Sequence, residues 1–184
     1  MSEEMLIRHC SPTLAGLKTG NMFSCTFNDE GDKKETLRKF NKVLRKKGLR
    51  VLPLRQKGDR TLMYLYRPKA LKKDLCNGMT CEILTERGYC CETPEKCVAH
   101  LIRRIGETEE FPHEVGLFLG YPPEDVTGFI ENKPETCKYV GLWRVYGDED
   151  NARKLFQQYN KCTKVYCQCF AKGFPLEKLA VGAL

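Results

Sequence analysis

The segment 111–126, FPHEVGLFLGYPPEDV, constrains the fold most, because it joins an apolar run, a proline turn and a helix start. Residues 115–119 carry apolar side chains on both faces of an alternating pattern, which predicts a short strand buried on both sides. The prolines after Tyr121 end that strand, since proline has no amide hydrogen to give to a ladder. Pro123 and the two acidic residues after it favour the first turn of a helix. The segment therefore predicts a strand, a turn and a helix in succession.

Two titratable residues, His113 and Glu114, precede the predicted strand and are the candidate catalytic residues. An imidazole titrates near neutral pH, so His113 can serve as a general acid, a general base or a metal ligand, with Glu114 orienting it. The alternative is a histidine that is hydrogen-bonded to the backbone at a strand edge. Tyr121, at the far end of the strand, is a candidate ligand-binding residue.

Three long segments carry a family resemblance: residues 9–23 (HCSPTLAGLKTGNMF), 111–132 (FPHEVGLFLGYPPEDVTGFIEN) and 141–159 (GLWRVYGDEDNARKLFQQY). Together they resemble a bacterial family catalogued as domain of unknown function 3793, which is found largely in anaerobic Firmicutes. The resemblance spans nearly the whole chain. It implies no particular activity, cofactor or partner.

The N-terminal segment contributes two more candidate ligand-binding residues, Thr13 and Lys18. Ser11 is a good helix cap and Pro12 suits a first helical turn, so a helix is expected to begin here. The amides at such a helix start, with Thr13 and Lys18 beside them, would suit an anion. A purely structural cap is the alternative.

Eleven cysteines occur in a chain that opens on an acidic Met-Ser-Glu-Glu sequence without a signal peptide or a membrane-spanning apolar run. These features predict a cytoplasmic protein, and an odd number of thiols in a reducing compartment argues against a disulfide scaffold. The thiols are then buried small side chains, redox groups or metal ligands. Cys90, Cys91, Cys97 and His100 have the chemistry of a four-ligand zinc set, although their spacing matches no standard pattern. Cys97 also falls on a predicted core face, which favours the alternative of a buried thiol.

Positive charge is concentrated in residues 33–74, which hold 16 Lys and Arg against three acidic residues, in a chain whose net charge is +7. The remainder of the chain is therefore net acidic. Such a region can attract nucleic acid, an anionic cofactor or an acidic protein. A solvated helix face and lysine-protected edge strands are the alternative.

The pattern of elements predicts an α/β (or α+β) fold in a single globular domain, 1–184, with a mixed sheet of four or five strands flanked by helices. Strands are expected at 22–27, 49–54, 61–66, 115–119 and 139–146. The second and third form an antiparallel hairpin, with Pro53 indicating a sheet edge. Six or seven helices are expected, including a long one that Asp148 caps.

The sequence contains none of the standard dinucleotide-binding, P-loop, zinc-protease or nucleophile-elbow motifs, which leaves three functional hypotheses. The first is a protein that binds a small ligand, cofactor or metal at the His113–Glu114 end of the strand. The second is an enzyme that uses His113 and Glu114 as an acid–base pair, with Cys10 or Lys18 as a third group. The third is a module that binds nucleic acid or an acidic partner through residues 33–74. We rank them in that order.

Overall fold

A three-stranded antiparallel sheet lies at the centre of the computed structural model, which describes residues 1–107, 111–132 and 134–182. Its strands are β1 (Gly20–Thr26), β2 (Arg50–Lys57) and β3 (Arg60–Tyr66), with β3 in the middle. The predicted hairpin of β2 and β3 is confirmed. Pro53 lies on the edge strand, as predicted, and the register shifts beside it, because proline cannot donate to a ladder.

Helices make up most of the rest of the described chain. α1, α2 and α8 begin at side-chain caps from Ser2, Asp29 and Asp148. None of the helices in the described ranges is long and apolar enough to span a bilayer. The α-helices are α1 (Glu3–Leu14), α2 (Glu30–Leu44), α3 (Pro68–Leu75), α4 (Gly78–Glu86), α5 (Pro94–Glu107), α6 (Val115–Phe118), α7 (Pro123–Glu131), α8 (Glu149–Ala171) and α9 (Leu176–Leu179).

Both faces of the sheet are covered, and β3 shows why. Its side chains alternate, so that Met63 and Leu65 pack into one cluster with α1, α2 and α9, while Tyr64 and Tyr66 pack into another with α3, α4, α5 and α6. The Tyr64 hydroxyl donates a 2.6 Å hydrogen bond to the Phe118 carbonyl, which ties α6 to the sheet. A strand that is buried on both faces needs apolar side chains at successive positions, which β3 has.

A second, two-stranded sheet packs against the first half of α8. Its strands are β4 (Tyr139–Val140) and β5 (Arg144–Val145), so the prediction of one strand over 139–146 is wrong. The chain turns back at Gly141, where a Cβ would collide with the Phe156 ring. Only glycine therefore permits this close approach of the hairpin to α8.

The predicted strand at 115–119 is also wrong, because Val115–Phe118 forms the single helical turn α6. The amide of Leu119 donates to the Val115 carbonyl, and the amide of Tyr121 donates to Gly116. All four residues of the turn are buried, so the prediction of burial on every side is confirmed. A short apolar run satisfies this burial equally well as strand or helix, since periodicity cannot separate the two at this length.

These two corrections change the predicted sheet. Instead of one mixed sheet with four or five strands, the described residues form separate antiparallel sheets of three and two strands. A mixture of helices and strands is confirmed, and it is the α+β alternative of the prediction that matches, since every strand pair is antiparallel. The single-domain assignment stays a prediction.

The expected helix start at Ser11 is wrong as well. α1 already begins at Glu3 and ends at Leu14, so Ser11 and Pro12 lie in its last turn. The Ser11 hydroxyl donates to the Ile7 carbonyl within the helix. This end of α1 presents carbonyl groups and not free amides, so it lacks the anion-binding character of a helix N-terminus.

Candidate ligand-binding site

A cavity of about 400 Å³ lies between α6, α7 and β5, at the segment that the sequence singled out. This volume falls in the range of small-molecule sites, which are mostly apolar with a few placed polar groups. Four aromatic side chains, Phe111, Tyr121, Phe129 and Trp143, line it together with His113.

The aromatic rings of the cavity are packed against each other in ordered pairs. Tyr121 stacks on Trp143 with ring centroids 4.4 Å apart, and the rings of His113 and Phe129 form a T-shaped pair with centroids 5.0 Å apart. Phe111 and Phe129 nevertheless remain 38% and 40% exposed, which leaves apolar surface open at the cavity. Offset and edge-on pairs of this kind hold their rings in fixed orientations. The cavity walls are therefore flat and preformed.

Asp125 fixes the position of Trp143. Its buried carboxylate accepts a 2.8 Å hydrogen bond from the Trp143 indole nitrogen and two further bonds from the amides of Tyr146 (2.7 Å) and Gly147 (2.8 Å). The carboxylate thereby joins the first turn of α7 to the chain just after β5. A buried carboxylate is tolerated only when such donors replace water.

Gly116 shapes the cavity floor. A Cβ at this position would come within 2.7 Å of Val126 and 3.0 Å of Tyr121. The absence of a side chain allows α6 and α7 to approach closely and leaves Tyr121 its place in the wall.

Arg144 is the positively charged group of the cavity. It is half-buried, and within the described residues its guanidinium has no hydrogen-bond or ion-pair partner. Asp125, the acidic residue of the wall, already accepts three hydrogen bonds. A guanidinium that is left without a partner beside an apolar cavity is well placed to bind a carboxylate, sulfonate or phosphate.

Glu114, one of the two predicted catalytic residues, points away from the cavity. It is buried, accepts a 2.9 Å hydrogen bond from the Tyr89 hydroxyl and forms a 3.0 Å ion pair with Arg104. His113 is exposed and lies in the cavity wall. The side chains of His113 and Glu114 therefore have separate surroundings and do not contact each other as an acid–base pair in this structure.

Lys18 and Tyr121, two of the predicted ligand-binding residues, do meet. The Lys18 ammonium lies 5.0 Å from the centre of the Tyr121 ring, as in a cation–π contact. Burial lowers the pKa of Lys18 to about 8, and the nearby Cys10 opposes this shift. Thr13 is buried and donates a 2.7 Å hydrogen bond to the Asn21 side chain. Lys18 and Thr13 do not line the cavity, so a ligand in the cavity would not contact them directly.

The predicted metal ligands occupy a different place: Cys90 and Cys91 lie between α4 and α5, and Cys97 and His100 lie on α5. Cys97 is buried, and its thiol donates to the Cys90 carbonyl at 3.3 Å, while the His100 ring stacks on Tyr89 at 4.2 Å. Cys90 itself is exposed. Across the part of the chain that the structure describes, no three His, Cys, Asp or Glu side chains are grouped so as to hold a metal ion.

Cys81 and Thr85, which were not among the predicted metal ligands, lie beside the predicted ligand Cys91. The Thr85 hydroxyl lies 3.9 Å from the sulfurs of both Cys81 and Cys91. Burial raises the pKa of Cys97 to about 12, and the neighbouring Cys91 adds to the shift. Protonated thiols are poor metal ligands and poor nucleophiles. Cys97 is therefore a buried thiol of the core around α5, whereas Cys81 and Cys91 are only partly buried.

Five aromatic or charged residues of the cavity were also missed as site residues: Phe111, Asp125, Phe129, Trp143 and Arg144. Asp125 was assigned only to a helix start, and Trp143 and Arg144 fell in a predicted strand. One signal was available, because Trp143 is the single tryptophan of the chain and is directly followed by an arginine.

Comparisons with known proteins place the chain in a family. No curated protein and no solved structure gives a significant match. One family model, described as "Protein of unknown function (DUF3793)", matches residues 6–180 and so covers nearly all of the sequence. The chain therefore belongs to the DUF3793 family.

Proposed function

We propose that this protein binds a small, planar aromatic anion in the cavity between α6, α7 and β5. The observation that carries the proposal is the combination of flat aromatic walls with a cationic side chain, Arg144, that has no partner among the described residues. Aromatic rings bind planar ligands by stacking, and a guanidinium binds an anion through paired hydrogen bonds.

The exposed rings of Phe111 and Phe129 support binding of a planar aromatic ligand in the cavity. Covering apolar surface stabilises a complex by roughly 25 cal/mol per Å². A planar ring between these side chains would bury surface that they leave open to water. His113, edge-on to Phe129, adds a ring nitrogen that can donate or accept a hydrogen bond at the same mouth.

The Asp125 network supports a preformed site. Because Trp143 is held by a hydrogen bond to a buried carboxylate, its ring needs little ordering when a ligand arrives. Preorganised walls reduce the entropy cost of binding. The proposal also retains His113 and Tyr121 as ligand-contacting residues, in agreement with the first sequence hypothesis.

Two fluorescent probes with closely related aromatic ring systems test the proposal. 8-Anilinonaphthalene-1-sulfonate is an anion with a planar naphthalene ring, and N-phenyl-1-naphthylamine is its uncharged counterpart. Trp143, as the single tryptophan, reports occupancy by energy transfer to the probe. We expect the sulfonate to bind more tightly than the amine. Arg144→Gln should weaken sulfonate binding by about 10-fold, because it removes one charge-assisted hydrogen bond. Binding of the uncharged amine should be unchanged.

Arg60→Gln is the matched control, because it removes the same charge. Arg60 is exposed and is the first residue of β3, outside the cavity lining. Phe129→Ala should weaken binding of both probes. The proposal is wrong if neither probe quenches Trp143, or if Arg144→Gln and Arg60→Gln change sulfonate binding equally.

A further inference from the structure

The outer face of α2 carries a dense strip of positive charge, remote from the cavity. Six exposed basic side chains lie on this helix and on the turn after it. Within the described residues none of them forms an ion pair. They are Lys34, Arg38, Lys39, Lys42, Arg45 and Lys46.

Packing of the opposite face of α2 explains why these basic side chains share one exposed face. Phe40 and Leu44 are buried against the sheet, and Asn41 exchanges hydrogen bonds of 2.7 and 3.1 Å with the backbone of Val51. The helix is therefore fixed in rotation, and its basic side chains point to solvent as one set. At 1.5 Å per residue, the strip from Lys34 to Arg45 is about 16 Å long.

We propose that this face of α2 binds the backbone of double-stranded DNA without sequence preference. Charge complementarity is the first reason: duplex DNA presents about one negative charge per 1.7 Å of its axis, and Lys and Arg side chains that neutralise phosphates release counterions. The strip is interrupted by one exposed acidic residue, Glu35.

The lack of apolar anchors separates DNA from the other polyanions. Protein interfaces need buried aromatic or aliphatic side chains at their centre, and single-stranded nucleic acids are bound through aromatic stacking. In the described chain no large apolar side chain between residues 28 and 60 is exposed. A helix of about 10–12 Å diameter also matches the major groove of B-form DNA, which is about 12 Å wide, whereas the groove of duplex RNA is deep and narrow.

Fluorescence anisotropy with a short duplex of mixed sequence tests this surface. If all six side chains contact phosphates, affinity should fall roughly 10³-fold between 50 and 200 mM salt. The triple variant K34Q/K39Q/K42Q should bind at least roughly ten-fold more weakly at 50 mM salt, with a salt slope reduced by about 2.7.

A matched variant, K154Q/K161Q/K164Q, removes three exposed lysines from α8 and changes the net charge equally. It should bind as the unmodified protein does. Because all six substituted side chains are exposed, circular dichroism should show both variants folded. The proposal is overturned if the duplex does not bind, if both triple variants lose the same affinity, or if duplex RNA, single-stranded DNA or poly-glutamate binds more tightly. Probe binding in the cavity is a separate measurement, so either proposal can fail alone.

Discussion

The indole nitrogen of Trp143 donates a 2.8 Å hydrogen bond to the buried carboxylate of Asp125, 18 residues earlier in the chain. This bond, with the two backbone amides on the other carboxylate oxygen, fixes the wall of the cavity to the start of α7.

We expect Asp125→Ala to lower the free energy of unfolding by about 3 kcal/mol or more, because three buried donors lose a charged acceptor. Chemical denaturation measures the loss, and Trp143 emission should shift to longer wavelength as the indole is freed. Glu124→Ala is the control, since Glu124 is exposed in the same helical turn. This substitution should lower the free energy of unfolding by less than about 1 kcal/mol. Equal losses in the two variants would contradict this role of Asp125.

The ion pair of Glu114 and Arg104 makes a second prediction. Glu114 is 3% exposed and Arg104 is 32% exposed, so Glu114→Gln should destabilise the fold by about 1.5–3 kcal/mol, because a buried, charge-assisted acceptor becomes a neutral amide. Glu95→Gln is the control, because it breaks an exposed ion pair of 3.8 Å with Arg50. It should lower the free energy of unfolding by less than about 1 kcal/mol. Urea denaturation compares the two. If Glu114→Gln were as mild as Glu95→Gln, the pair of Glu114 and Arg104 would have no structural role.

Lys18 makes the stability depend on pH. Burial lowers its pKa to about 8, whereas lysine in the unfolded chain holds its proton to about pH 10. Between these values the unfolded chain binds more protons, so the destabilising cost of burying the charged Lys18 falls as pH rises and the stability of the fold increases. We expect the unfolding free energy of the unmodified protein, minus that of Lys18→Met, to rise by roughly 1–3 kcal/mol from pH 7 to pH 10. The exposed-site variant Lys154→Met should show no such rise, and a flat difference for Lys18→Met would refute the shift.

The thiols should differ widely in reactivity. Cys76 and Cys90 are exposed, whereas Cys10 and Cys97 are fully buried, and burial raises the pKa of both buried thiols. Because the thiolate is the reactive form, iodoacetamide should modify Cys10 and Cys97 on the order of 100-fold more slowly than the exposed pair. Peptide mass mapping over time measures these rates, and in denaturant all 11 cysteines should react alike. Labelling of Cys97 as fast as Cys76 in the folded protein would show that this part of the core opens.

Local signals in the sequence determined much of the helical framework and one hairpin. Asp148 caps α8 through its side chain, as its position before the apolar pattern predicted. Pro94 begins α5, whose Val98, Leu101 and Ile105 share the predicted buried face. These features are predictable because caps, prolines and periodic apolar residues act within a few positions along the chain.

Tertiary packing alone decided the rest. The run from Val115 becomes a helical turn, because Gly116 lets it fit against α7, and the second sheet forms where Gly141 turns the chain back. The candidate cavity joins His113 to Trp143 and Arg144, about 30 residues later, through contacts that no local pattern encodes. Glu114 faces inward because Arg104 and Tyr89 supply its partners. A short apolar run can be buried either as a strand or as a helix. Its conformation, and the side chains that it contacts, therefore depend on residues that are distant in the sequence.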